Sequence, residues 1–74
     1  MGKLPVISGA DAVRAFQRLG YEVNHQTGSH VILRRSEPPH RHLSVPQHRE
    51  LAKGLLRGLI RDAGLTVDEF NRLL

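Results

Sequence analysis

One histidine in this chain stands where an imidazole could act on a bound substrate. His30 follows Gly28 and Ser29 and opens the run His30-Val31-Ile32-Leu33-Arg34-Arg35. Imidazole titrates near neutral pH and can serve as acid or base. Arginine brings a planar fork of donors that suits phosphate. The combination fits RNA cleavage, because RNA carries its own nucleophile in the 2′-hydroxyl. The reaction needs a base for that proton, a donor for the departing 5′-oxygen, and cations for the phosphoryl charge. His30 is the candidate acid–base group. Arg34, Arg35, Lys53 and Arg57 are the candidate phosphate holders. The scheme calls for no metal and no cofactor. The plainer reading of the same residues is a solvated strand histidine beside an ordinary hairpin turn.

Other chemistries find less support. His40 and His42 could present two imidazoles on one side of an extended segment. A catalytic zinc site needs three protein ligands and a structural one needs four, usually including cysteine. The chain has no cysteine and no His-Glu-x-x-His pattern, so no metal site is expected. Ser29 precedes His30, but there is no Gly-x-Ser-x-Gly elbow. There is also no P-loop and no Gly-x-Gly-x-x-Gly. Neither a hydrolase triad nor a nucleotide-binding enzyme is expected.

The elements that must position His30 are few. Seventy-four residues make one domain, residues 1–74. A chain this short buries only about 60% of its unfolded surface, so any chemistry happens on a surface or in a shallow groove. Eleven Lys and Arg oppose seven Asp and Glu, for a net charge of +4. Nine of the eleven cations are Arg, which leans towards nucleic acid. The lack of cysteine fits a reducing compartment. Met1-Gly2-Lys3-Leu4-Pro5-Val6 has no apolar h-region, so no signal peptide is expected. Val6 stands where a myristoylation motif needs Ser or Thr. No apolar stretch approaches membrane length. The expectation is a cytoplasmic protein with no membrane partner.

Ser8 and Asp11 have capping-box spacing and open a helix. Ala12, Ala15, Phe16 and Leu19 form its apolar stripe, Asp11, Arg14 and Arg18 its polar side, and Gly20 its end. Tyr21 to Gln26 alternates as a strand, with Tyr21, Val23 and His25 on one side. Thr27-Gly28-Ser29 reads as a three-residue turn. His30 to Arg35 is the second strand, Ser36 to Arg41 a loop, and His42 to Val45 a third strand stopped by Pro46. Val31, Leu33, Leu43 and Val45 face the core, which sends His30, Ile32, Arg34 and His42 to the other face. A second helix carries Ala52, Leu55, Leu56, Leu59, Ile60 and Ala63 inward. Arg49, Lys53, Arg57 and Arg61 form its basic stripe. Gly54 and Gly58 weaken its start, and Gly64 caps it. Thr66 and Glu69 open a short last helix with Phe70, Leu73 and Leu74 on its apolar side. Phe16, Leu55, Leu59 and Phe70 are expected in the core. The fold class is α+β, in the order α-β-β-β-α with a short C-terminal helix. A three-stranded antiparallel sheet carries its helices on one face. Double-stranded-RNA-binding domains share this order, which is a likeness of topology and not of function.

Several segments together resemble the HicA toxins of HicA–HicB toxin–antitoxin pairs, also described as YcfA-like proteins. They are Leu4-Pro5-Val6-Ile7-Ser8-Gly9, Leu19-Gly20-Tyr21-Glu22-Val23, Gly28-Ser29-His30 and Val45-Pro46-Gln47-His48. Lys53-Gly54-Leu55-Leu56-Arg57, Ile60-Arg61-Asp62-Ala63-Gly64-Leu65 and Asp68-Glu69-Phe70 complete the set. Each is weak alone, but in this order and spacing they are specific. The resemblance implies a fold like the double-stranded-RNA-binding domain. It implies ribosome-independent cleavage of single-stranded mRNA, arrest of translation, and neutralisation by a HicB-type antitoxin. The family's catalytic histidine is that of Gly-Ser-His, here His30. Gly28 and Ser29 would lie against the RNA, and the free toxin would be monomeric. The family often has Gly-Thr-Leu where this chain has Gly54-Leu55-Leu56, a departure that changes the start of the second helix and leaves His30 untouched. The competing readings are a binding module that holds RNA without cutting it, and a protein-interaction domain whose basic surface meets an acidic partner.

Overall fold

The computed structural model describes residues 2–74. The chain runs α1 (Gly9–Leu19), β1 (Tyr21–Thr27), β2 (His30–Arg35), β3 (His42–Pro46), α2 (Lys53–Asp62) and α3 (Val67–Asn71). The strands form one antiparallel sheet in the order β1-β2-β3. This is the α+β order that the sequence pattern predicts.

Two helices begin as their capping residues dictate. The Ser8 hydroxyl accepts the Asp11 N–H at 3.1 Å, and the Asp11 carboxylate accepts the Ser8 N–H at 3.4 Å. Thr66 and Glu69 repeat the exchange at 3.1 and 2.9 Å. Each pair satisfies two N–H groups that the first turn would otherwise leave without partners. The bonds to Ser8, helped by Arg14, hold the Asp11 carboxyl below its ordinary value of 3.8. The bonds to Thr66, helped by the charge of Arg72, hold Glu69 below 4.5.

The second helix departs from its predicted pattern. Its N-cap is Ala52, which offers no side-chain bond, and the helix starts at Lys53. Arg49 and Ala52 therefore precede α2 instead of joining its stripes. The cause lies just upstream. The Leu51 N–H donates to the Ile7 carbonyl, and Leu51 is 4% exposed. That anchor takes up the core position at the helix start. Leu55, expected inside, is 38% exposed, and Leu56, Leu59 and Ile60 form the buried stripe. Leu74 also lies outside the core, beyond the end of α3.

All helices cover one face of the sheet. Ala12, Ala15 and Phe16 of α1 meet Leu33, Leu43 and Val45 of the strands, with Leu56, Leu59 and Ile60 of α2 and Phe70 of α3. Val31 is only half-buried at the margin. The Phe16 ring lies 5.9 Å from Tyr21 edge-on and 5.2 Å from Phe70. Each such side chain contributes about 1.5–3 kcal/mol on burial, so a few residues carry most of the stability.

Gly9 is required by a close approach. A Cβ there would stand 2.1 Å from the Pro46 carbonyl oxygen and 3.0 Å from Gln47 Cα, both backbone. The Gly9 N–H also donates to the His48 carbonyl at 2.9 Å. The first turn of α1 thus rests directly on the chain leaving β3.

Gly9→Ala is expected to cost about 1–3 kcal/mol, because backbone must shift, and to lower the melting temperature by at least about 4 °C. Gly58→Ala, where a Cβ meets nothing within 4 Å, should stabilise by roughly 0.5–1 kcal/mol. Thermal melts followed by circular dichroism check both. The two capping boxes also make stability depend on acid. Asp11 and Glu69 have folded pKa values below their ordinary ones. Their contribution is present at neutral pH and is lost as pH falls from the ordinary carboxylate range through the folded values. Urea midpoints across that range should fall less steeply in Asp11→Asn with Glu69→Gln than in the wild type.

Candidate functional site

His30 sits at the start of β2, immediately after a tight turn. Thr27 pairs with His30, so the loop between the strands is Gly28-Ser29 alone, one residue shorter than predicted. Gly28 has φ 56, and among the described residues no non-glycine has positive φ. Positive φ at the first central residue only is the pattern of a type II′ turn, whose twist matches that of the strands it joins. On its other side His30 pairs with Pro46. The Gln47 N–H donates to the Ser29 carbonyl at 2.7 Å. Backbone on both flanks therefore fixes the His30 position, while its side chain is exposed.

The register defines the face that no helix covers. Thr27, His30 and Pro46 form one row across the sheet. His25, Ile32 and Ser44 form the next, and Glu22, Arg34 and His42 the third. His30, Ile32, Arg34 and His42 lie where the pleat predicts. His25 does not. Alternation from Tyr21 predicts it on the covered side, but the ladder slips between Val23 and His25. Val23 faces Leu33, His25 faces Ile32, and Asn24 is the extra residue. A bulge of this kind inverts the alternation beyond it. It moves His25 to the open face. Its Nδ1 lies 2.7 Å from Asn24 Oδ1. An amide oxygen only accepts, so Nδ1 carries the hydrogen and Nε2 is left free.

The cations divide between two surfaces. Arg34 lies on the open face, across from Glu22 and His42. Arg35 lies on the opposite side, its guanidinium 5.9 Å from the Tyr21 ring centroid. The structure thus separates Arg35 from His30. Lys53, Arg57 and Arg61 are exposed on α2, which packs against β3. Arg61 lines a shallow groove of about 460 Å³ with Arg41, His42 and Asp62, and Arg41 Nη1 donates to the Asp62 carbonyl at 2.9 Å. The last turn of α2 therefore meets the His42 end of β3. Among the described residues the one ion pair joins Arg14 to Asp11, so Arg34, Lys53 and Arg57 keep their charge available. No group of three His, Cys, Asp or Glu that could hold a metal occurs among the described residues. Nor is any helix among them long and apolar enough to cross a membrane.

The family model described as the HicA toxin of bacterial toxin-antitoxin matches residues 9–65. The chain belongs to the HicA toxin family. It is therefore a toxin of a toxin–antitoxin system, and membership implies pairing with an antitoxin. The matched segment runs from α1 to just past α2 and contains every open-face position. It leaves outside the family match α3, which supplies Phe70 to the core. No curated protein matches the chain.

The hydrogen bond to Asn24 makes a spectroscopic prediction about this HicA-family toxin. Above the pH at which imidazole protonates, long-range 1H–15N spectra should show His25 in the Nδ1–H tautomer. Asn24→Ala should abolish that preference. A wild-type His25 already in the Nε2–H form would refute the assignment.

Proposed function

We propose that this HicA-family toxin is an endoribonuclease that cuts single-stranded mRNA without a ribosome or a bound metal, using His30 as its acid–base group. One observation carries the reading. His30 is exposed on the uncovered face of the sheet, at the mouth of a tight turn, with backbone pairing on both sides. A general base must be held in place and yet reach its substrate.

The remaining groups take graded roles. Gly28 and Ser29 carry no bulk and let an RNA strand approach His30. Four residues of strand separate Arg34 from His30, about 13 Å at the usual rise. Arg34 is thus suited to a phosphate further along the strand than the one being cut. Lys53 and Arg57 supply a second line of positive charge along α2. Arg35, on the far side of the sheet, fits an outer contact at most. The chemistry needs no metal: His30 takes the 2′-hydroxyl proton, and guanidinium groups offset the phosphoryl charge. The active toxin would be a cytoplasmic monomer, and a HicB-type antitoxin would silence it by covering the cationic open face. A second reading rests on the α2 stripe, which could hold RNA by phosphate alone with no cleavage.

The test is cleavage of a mixed-sequence single-stranded RNA in EDTA. Wild type is expected to cut it, to leave 2′,3′-cyclic phosphate ends, and to spare DNA of the same sequence. His30→Ala should lose about 10²–10⁴-fold in rate with an unchanged melting curve. RNA binding without cutting by the wild type would establish the binding-module reading instead.

A further inference from the structure

The proposed reaction has two proton transfers, and His30 accounts for one. The 5′-oxygen leaves more readily with a proton. The open face holds two other histidines, His25 and His42. Their positions differ decisively. His42 pairs with Arg34, four residues along β2 from His30, or about 13 Å of strand. It cannot share one phosphate with His30. His25 pairs with Ile32, two residues from His30, which makes it a diagonal neighbour at about 7–8 Å between Cα atoms. An in-line displacement puts the attacking and leaving oxygens on opposite sides of phosphorus. Imidazoles carried on backbone positions this close can reach the two oxygens of one phosphate from opposite sides, each through a hydrogen bond of about 2.8 Å.

We propose that His25 is a second catalytic residue, the acid that protonates the leaving 5′-oxygen. The proposal rests on the endoribonuclease reading and completes it. The Asn24 side-chain Oδ1 accepts the Nδ1–H of His25 at 2.7 Å and fixes the plane of the ring. Nε2 of the charged ring then carries the proton to be given away. In the step, His30 takes the proton of the 2′-hydroxyl and the O2′–P bond forms. The P–O5′ bond breaks, and O5′ takes the proton of His25 Nε2. The products are a 2′,3′-cyclic phosphate and a 5′-hydroxyl. Proton exchange with water resets both rings. The Asn24 bulge is what makes the pairing available, since regular alternation would leave His25 on the covered side.

A substrate that needs no leaving-group proton isolates this role. The experiment compares an ordinary single-stranded RNA with the same RNA carrying sulfur in place of the bridging 5′-oxygen at the cut site. A thiolate leaves without an acid. His25→Ala is expected to lose about 10²–10⁴-fold on ordinary RNA and to cut the sulfur-bridged RNA at nearly the wild-type rate. His30→Ala should fail on both, because the base is still required. His25→Ala cutting ordinary RNA within about twofold of wild type overturns the inference, and so does a deficit of equal size on both substrates. Either result leaves the His30 endoribonuclease standing. Wild type cutting neither substrate overturns that reading and this inference with it.

Discussion

Leu33 decides which side of the sheet is wet. It sits at the middle of the central strand, fully buried, and successive strand residues must point to opposite faces. With Leu33 in the core, Val31 and Arg35 share its side and His30, Ile32 and Arg34 take the other. A one-residue slip of β2 would place His30 and Arg34 beneath the helices. Burying a cation without a partner costs several kcal/mol, a large part of what a domain this small has to spare. The position of His30 is thus set by an apolar side chain three residues away. The helices enforce it, since α1 and α2 cover one face and no helix among the described residues covers the other.

That constraint reaches the chain entering α1. Gly9 rests on the Pro46 carbonyl, and Pro46 pairs with His30 across the sheet. The Gln47 N–H holds the Ser29 carbonyl, and the Leu51 N–H holds Ile7. The segment after β3 is therefore stitched to the lead-in of α1 on one side and to the hairpin turn on the other. A shallow site cannot rely on surrounding walls to hold its groups. Here backbone hydrogen bonds from three separate stretches of chain do so, and the side chain is left free to meet a substrate.

Local signals carried much of the architecture. Ser8 with Asp11 and Thr66 with Glu69 announce two helix starts because a capping box depends on residues only three apart. His30, Arg34 and His42 were legible because β2 and β3 are regular and Leu33, Leu43 and Val45 mark their dry sides. The failures share a different cause. Nothing between Val23 and His25 announces a bulge, which depends on which residues of β2 stand opposite. Leu55 fits the helical period as well as Leu56 and Leu59 do, so period alone places it in the core. The bond from Leu51 to Ile7, 44 residues away in sequence, anchors a buried leucine ahead of the helix that no local signal announces. The exposed position left to Leu55 is the one where the family often has threonine, so the departure there sits on the surface.

Geometry also bears on the kind of RNA the proposed site would accept. The open face is three strands wide, and neighbouring strands lie about 4.8 Å apart. Its three rows end at a turn on one side and at Glu22, Arg34 and His42 on the other. In-line attack requires the 2′-oxygen, phosphorus and 5′-oxygen to approach a straight line. A regular duplex holds each sugar and phosphate in one fixed relation, whereas a single strand can rotate about its backbone to reach that arrangement. A flat face with exposed acid–base groups can receive a rotated strand, because no wall prevents it. The same openness limits how tightly any one nucleotide is gripped. Affinity must then come from cations spread along the strand, namely Arg34 on the sheet and Lys53 and Arg57 on α2. Such binding scales with the number of phosphates engaged and weakens as salt rises. In the proposed site, the place of cutting would be set by His30 and the strength of binding by Arg34, Lys53 and Arg57.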